Sequence, residues 1–79
     1  MKAIIRDWSN GNLSFDATLP KYDGLYIGTG GTNLSLTSRK GNTAIFKNMP
    51  DSELFPVSPA KINTTGSDCA NIIGTLFYE

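Results

Sequence analysis

The glycine-rich segment at residues 28–31 is one place where the sequence could support chemistry, because such loops can hold phosphate groups. A phosphate-binding loop opens a helix whose N-terminal N–H groups face the anion, and in one common form a Lys-Ser/Thr pair follows. Here the segment leads into residues 33–37, which alternate polar and apolar side chains as a strand does, and no such pair follows. We therefore interpret residues 28–31 as a tight connection between strands, with glycines at positive φ.

Paired carboxylates could support general acid–base catalysis or hold a cation. Five of the seven acidic residues fall in predicted loops, mostly beside Gly, Pro or Ser: Asp16, Asp23, Asp51, Glu53 and Asp68. Glycosidase chemistry needs two carboxylates at a fixed separation, one of them with a raised pKa, and the spacing selects no such pair. The sequence also has no D-x-D-x-D-G calcium run. The pattern predicts solvated acids in turns.

Nucleophilic catalysis lacks its usual partners in this sequence. The chain has no His to activate its seven serines, and no Lys stands at a recognisable spacing from a Ser. Cys69 is the single Cys, so the sequence provides neither an internal disulfide nor the several ligands of a zinc site. We interpret Cys69 as a reduced structural thiol. We expect no enzyme activity, no catalytic residue, no metal ligand and no cofactor.

Sugar binding is a further function that the side chains could support, since exposed aromatic rings on a β-sandwich can stack on sugars. They are spread along the whole chain: Trp8, Phe15, Tyr22, Tyr26, Phe46, Phe55, Phe77 and Tyr78. Packing in the core or at a subunit interface accounts for most of them more simply. We favour those roles. The alternative function is a carbohydrate-binding β-sandwich module that contacts a host surface glycan.

Size and charge restrict the partners of the chain. Seven basic and seven acidic residues balance, so the excess positive charge typical of a nucleic-acid binder is missing. The apolar runs span two or three residues, against about 7–15 for a signal peptide and about 20 for a membrane helix. We expect no membrane partner. A domain of 79 residues without cross-links is marginally stable alone, which favours assembly with copies of itself.

The candidate residues described above must be positioned by strands, because the periodicity of polar and apolar residues favours strands almost everywhere. Residues 33–38 alternate polar and apolar side chains, residues 25–27 and 43–48 are rich in strand-forming types, and residues 71–78 form the last and longest apolar segment. No window of ten or more residues has helical spacing, and four prolines and eight glycines would interrupt most helices. We predict an all-β fold, a small antiparallel β-sandwich or barrel with little or no helix.

The segments between the predicted strands are read from their turn residues. Residues 39–42 can close a hairpin, residues 55–59 carry two prolines and predict an extended edge segment, and residues 63–68 form a polar loop. Residues 1–20 differ in character, with short apolar patches around Trp8. They form either a first hairpin or an N-terminal arm on a neighbouring subunit, and residues 21–79 form a compact β domain.

Five segments from residue 24 onward resemble, in their order, a family of small phage virion proteins. The matching segments are LYIGTGG at residues 25–31, FKNMP at 46–50, LFPV at 54–57, TGS at 65–67 and LFY at 76–78. The family comprises head spike-base and head-decoration proteins of tailed phages and gene-transfer-agent particles. The resemblance covers about two thirds of the chain, and residues 1–20 match less clearly.

The resemblance implies a structural function. It implies a non-enzymatic capsid (head) decoration or spike-base subunit that assembles as a homo-oligomer, a trimer or pentamer, and contacts the major capsid protein or a spike or fibre protein. Such a protein is made in the bacterial host cytoplasm and lies on the capsid surface of the virion. The family has no catalytic residues to transfer to this sequence.

Overall fold

The computed structural model describes residues 4–77, and within that range the chain forms seven strands and no helix. The strands are β1 (Asp7–Trp8), β2 (Gly24–Thr29), β3 (Gly31–Thr37), β4 (Thr43–Met49), β5 (Glu53–Phe55), β6 (Lys61–Asn63) and β7 (Ala70–Leu76). No helix in the described part of the chain is long and apolar enough to cross a membrane. Tyr78, which we assign to the last strand from the sequence, lies outside the described residues.

The strands form two antiparallel sheets packed around one core. The four-stranded sheet has the order β1-β7-β2-β5, and the three-stranded sheet has the order β4-β3-β6. All pairings are antiparallel. These observations confirm the predicted all-β fold, a small antiparallel sandwich with little or no helix.

The core lies between the sheets because alternate residues of the central strands point inward. In β3, Leu34 and Leu36 are at most 4% exposed, and in β2 Leu25 and Ile27 are fully buried. Ile62 of the short strand β6 is also fully buried. Within residues 4–77, the buried side chains of the hydrophobic core are Leu19, Leu25, Ile27, Leu34, Leu36, Ile62, Cys69 and Ile72.

The predicted hairpin at residues 39–42 joins β3 to β4, as expected. Thr37 pairs with Thr43 at its base. In the turn, the backbone N–H of Ser38 donates to Asn42 O at 2.8 Å. Gly41 has φ +89 with open space around it, so this turn uses the left-handed conformation that glycine adopts without strain.

The predicted positive φ in the glycine connection at residues 28–31 is wrong. The described glycines with positive φ are Gly11, Gly41 and Gly66. Gly30 is the single residue between β2 and β3, and a Cβ there would collide with Met49 O and lie 2.7 Å from Pro50 O. Glycine is needed at this position because another backbone segment passes close by.

The proline-containing segment and the polar loop differ slightly from their predicted bounds. β5 is an edge strand, but its pairing with β2 ends at Phe55, and residues 56–59 leave the sheet toward β6. Asn63 still belongs to β6, where it pairs with Ser35, so the loop begins one residue later than expected. Asp68 then continues beside β3, donating its N–H to Asn33 O at 3.0 Å.

Residues 4–20 run along the side of the sandwich and bond to both sheets. After β1 pairs with β7, Leu13 N donates to Ile72 O of β7 at 2.8 Å. Asp16 N donates to Ile62 O of β6 at 2.7 Å, and Leu19 enters the core. The division of the chain after residue 20 and a contact of this segment with a neighbouring subunit stay predictions.

Candidate interaction surface

The loop carboxylates accept hydrogen bonds that join segments distant in sequence. Asp16 accepts from Thr64 Oγ1 at 2.7 Å and from Thr64 N at 3.0 Å. The hydroxyl bond, followed by the backbone bond, holds the pKa of the Asp16 carboxyl below its ordinary value. Asp68 Oδ1 similarly accepts from Asn33 N at 2.9 Å. Both carboxylates therefore fasten loops to the sheet or to one another.

Two further carboxylates have the same structural role. Asp51 Oδ1 accepts from Gly30 N at 2.6 Å, which fixes the connection between β2 and β3. Asp23 Oδ2 accepts from Phe77 N at 2.9 Å after the end of β7. Glu53 is exposed on the edge strand β5. Among residues 4–77, no group of three or more Asp, Glu, Cys or His side chains is arranged to hold a metal ion.

Cys69 is a buried free thiol beside β3. It is 6% exposed, and its Sγ donates to Asn33 O at 3.4 Å. Burial, and secondarily the neighbouring Asp68 carboxylate, raises the pKa of the thiol. A raised pKa lowers the thiolate fraction that would act as a nucleophile, so the environment favours a structural role.

The outer face of the three-stranded sheet carries mostly polar side chains with their own hydrogen-bond network, together with the exposed apolar side chain of Ile45, which lies opposite Ser35. Asn63 Nδ2 of β6 donates to Ser35 Oγ and to Thr37 Oγ1 of β3, both at 3.1 Å. On the β4 side, Lys47 Nζ donates to Asn33 Oδ1 at 2.9 Å. These side chains use one another as partners, which suits a surface that faces water.

The outer face of the four-stranded sheet carries a row of apolar side chains instead. Because Leu25 and Ile27 point into the core, Tyr26 between them points outward. Tyr26 lies directly opposite Leu54 of β5 on one side and Ile73 of β7 on the other. Residues directly opposite on antiparallel strands share a face, so Leu54, Tyr26 and Ile73 form a row across the sheet.

Trp8 extends this row to the edge of the sheet. It pairs with Thr75, two residues along β7 from Ile73, and therefore lies on the same face. The Trp8 side chain is 64% exposed, and Tyr26, Leu54 and Ile73 are half-buried. We call Trp8, Tyr26, Leu54 and Ile73 the apolar face. The apolar face therefore presents one exposed large apolar side chain, Trp8, beside three half-buried ones.

A second apolar feature, the β4 groove, lies between β4 and residues 57–59. It has a volume of about 280 Å³. Its lining residues are Leu36, Ser38, Asn42, Ala44, Phe46, Val57, Ser58 and Pro59. Phe46 packs edge-on against Phe55 of β5, with ring centroids 5.0 Å apart, so one wall of the groove is anchored to the other sheet.

The structure shows that the aromatic residues have different locations, some packed against the core and others on the apolar face. Phe15, Phe46 and Phe55 pack against the core, whereas Trp8 and Tyr26 belong to the apolar face. Tyr78 lies outside the described residues. The β4 groove and the contributions of Leu54 and Ile73 had no signal in the sequence, because the pairing register decides which side chains share a face.

Comparison with known proteins supports the fold. No protein-family model matches the chain, and no curated protein does. The chain is similar to a solved structure described as the capsid of a native GTA particle computed with C5 symmetry. The TM-score is 0.74 with 23% sequence identity, over 91% of this chain and 83% of the other. A similarity at this identity shows a shared fold.

Proposed function

We propose that the chain is a non-enzymatic virion structural protein. It serves as a capsid (head) decoration or spike-base subunit and assembles as a homo-oligomer on a phage or phage-like particle. The observation that carries the proposal is the fold shared with a chain of a GTA capsid over 91% of this chain. Five short segments of the sequence independently resemble phage head spike-base and decoration proteins.

The disposition of the reactive side chains supports a non-enzymatic function. Asp16, Asp23, Asp51 and Asp68 all accept backbone hydrogen bonds. Cys69 is buried with a raised pKa. These groups stabilise loops and the core, and a carboxylate engaged in such bonds is poorly placed to exchange a proton with a substrate.

The surfaces support assembly. A small sandwich with an exposed apolar face gains stability when another subunit covers that face. The zero formal net charge also limits repulsion between identical copies brought close together. The mostly polar outer face of the three-stranded sheet suits exposure on the capsid surface, with the major capsid protein or a spike or fibre protein as the further partner.

Sedimentation velocity and light scattering on the purified chain test the homo-oligomer. We expect a single species with the mass of a trimer or pentamer at micromolar concentration. A stable monomer under these conditions would argue against the proposed assembly.

A carbohydrate-binding module is the second candidate, because Trp8 is 64% exposed on a sheet face that also carries Tyr26. Stacking of a sugar ring on the indole would require Trp8 to remain accessible in the assembled protein. A glycan array distinguishes the two functions. If the chain is a virion structural protein, the wild type should give no stronger glycan-array signal than Trp8→Ala. A glycan signal that is present in the wild type and lost in Trp8→Ala would favour sugar binding.

A further inference from the structure

We propose that the Asn10-Gly11 dipeptide is a site of covalent self-modification, at which Asn10 loses its side-chain amide through a cyclic imide and becomes aspartate or isoaspartate. The inference goes beyond the proposed function and does not depend on it. It rests on the residue that follows Asn10, on the exposed turn that contains the dipeptide, and on the bonds that attach residues 9–13 to β7.

Asn10 is the one Asn of the seven in the sequence that precedes a Gly. The reaction joins the backbone nitrogen of the following residue to the Asn side chain, so a side chain on that residue obstructs the approach. Gly11 has none, and even the position that a Cβ would occupy has no atom within 4 Å. The other six precede Leu, Thr, Met or Ile, whose side chains are large or β-branched. The local sequence therefore favours reaction at Asn10.

The structure leaves the side chain of Asn10 accessible. Asn10 and Gly11 are exposed and lie in the turn that follows β1. Within residues 4–77, the Asn10 side chain forms no hydrogen bond, whereas the side-chain amides of Asn12, Asn63 and Asn71 all donate to other side chains. The Asn10 amide can therefore turn toward the backbone nitrogen of Gly11 without breaking a bond of its own.

Ser9 controls access to the attacking nitrogen. Gly11 N donates to Ser9 O at 2.9 Å, and Ser9 Oγ donates to Gly11 O at 2.9 Å. The same hydroxyl accepts from Gly74 N of β7 at 3.0 Å. The Gly11 nitrogen must release its proton before it attacks, so its bond to Ser9 O has to open first. Exposed bonds in a short turn open locally much more readily than a sheet unfolds, and the opening of this turn sets the rate.

The reaction needs no reactant other than water. The Gly11 nitrogen, having lost its proton to solvent, forms a bond to the side-chain carbonyl carbon of Asn10. The amide nitrogen takes a proton from water and leaves as ammonia. Water then opens the cyclic imide at either carbonyl, which gives aspartate or an isoaspartate whose backbone passes through the former side chain. Each product adds one negative charge to a chain whose formal net charge is zero.

Isoaspartate would loosen the attachment of the N-terminal segment to β7. Ser9 N donates to Gly74 O at 2.8 Å, and Leu13 N donates to Ile72 O at 2.8 Å, so the dipeptide lies between two points fixed on one strand. Isoaspartate adds one carbon to the backbone between these points. We therefore expect faster amide hydrogen exchange at Ser9 and Leu13 in the modified chain than in the unmodified chain.

Incubation of the purified chain at neutral pH, followed by tandem mass spectrometry of its peptides, tests the proposal. Asn10 should gain one mass unit, as ammonia is lost and water is added, and isoaspartyl methyltransferase should label the product. The internal control is Asn42, which is exposed in the turn before β4 and precedes Thr43. We expect conversion at Asn10 to be at least about tenfold faster, a barrier difference of about 1.4 kcal/mol. Conversion at Asn10 that is no faster than at Asn42 would overturn the proposal.

Two variants test the parts played by the amide and by the turn. Asn10→Gln keeps an exposed amide but would have to form a larger ring, so we expect no conversion at this position. Ser9→Ala removes the hydroxyl that bonds Gly11 O and Gly74 N, and should convert faster at Asn10 than the wild type. Circular dichroism establishes that Ser9→Ala is folded. An unchanged rate in the folded variant would overturn the control by Ser9.

The urea-unfolded chain provides the reference rate, because its dipeptide is released from the turn. We expect conversion of Asn10 in the folded chain to be slower than in urea and still measurable, since only the turn has to open. If Asn10 stayed intact in the folded chain while the unfolded chain was converted completely, the fold would block the reaction and the proposal would fail.

Discussion

Gly30→Ala tests the close approach of two backbone segments that the fold requires. The new Cβ would collide with Met49 O and lie 2.7 Å from Pro50 O, closer than real Cβ contacts allow. The connection has little freedom to move, since Gly30 N donates to Asp51 Oδ1 at 2.6 Å. Overpacking usually costs about 1–3 kcal/mol. Because both obstructing oxygens belong to the backbone, we expect a loss of about 3 kcal/mol or more from the free energy of unfolding.

Gly41→Ala is the matched control for this substitution. Gly41 has φ +89, and a Cβ at this position would have no atom within 4 Å, so only the backbone conformation opposes the change. A left-handed residue costs about 1–2 kcal/mol. Urea denaturation followed by far-ultraviolet circular dichroism measures both variants, at one fixed protein concentration because assembly shifts apparent stability.

Comparing the loss of unfolding free energy in the two variants shows whether Gly30 is required for space or only for its backbone conformation. Close approach predicts that Gly30→Ala is clearly less stable than Gly41→Ala. If Gly30→Ala lay within about 1 kcal/mol of the wild type, or were the more stable of the two, the steric explanation would be refuted.

Three further substitutions or deletions test the core, a loop and the N-terminal segment. Ile62→Ala should lower the free energy of unfolding by about 2–5 kcal/mol in urea denaturation, because Ile62 is fully buried. The folded-state pKa of Asp16 is depressed, so its stabilisation is present above the unfolded pKa and is lost as pH falls through the folded pKa. As the pH is lowered, the free energy of unfolding of Asp16→Asn should therefore fall less steeply than that of the wild type. Deleting residues 1–20 removes buried Leu19 and bonds to β6 and β7, so circular dichroism should show loss of the fold.

The strands predicted from the sequence are those with enough residues to show a pattern. β3 alternates over seven residues, and its turn into β4 contains a Gly with open space around it. β1, β5 and β6 span only two or three residues each, too few to show a period. β6 has one apolar residue, Ile62, and its position in the core depends on pairing with β3.

The candidate surface was harder to predict, because it depends on which residues face outward. Residues 25–27 are all apolar or aromatic, so the sequence contains no alternation that would identify Tyr26 as the outward one. The pairing of β2 with β5 and β7 supplies that information. The glycine connection shows a related limit, since a Gly required for space and a Gly required for positive φ look identical in one sequence.

The protein composition of purified particles tests the central claim most directly. Particles released by cells that make this chain would be purified and each virion protein quantified by mass spectrometry. A virion structural subunit should be present in a fixed ratio to the major capsid protein, and should be removed by surface proteolysis before the capsid lattice is. A chain that is made in these cells but absent from the purified particles would contradict the proposed function.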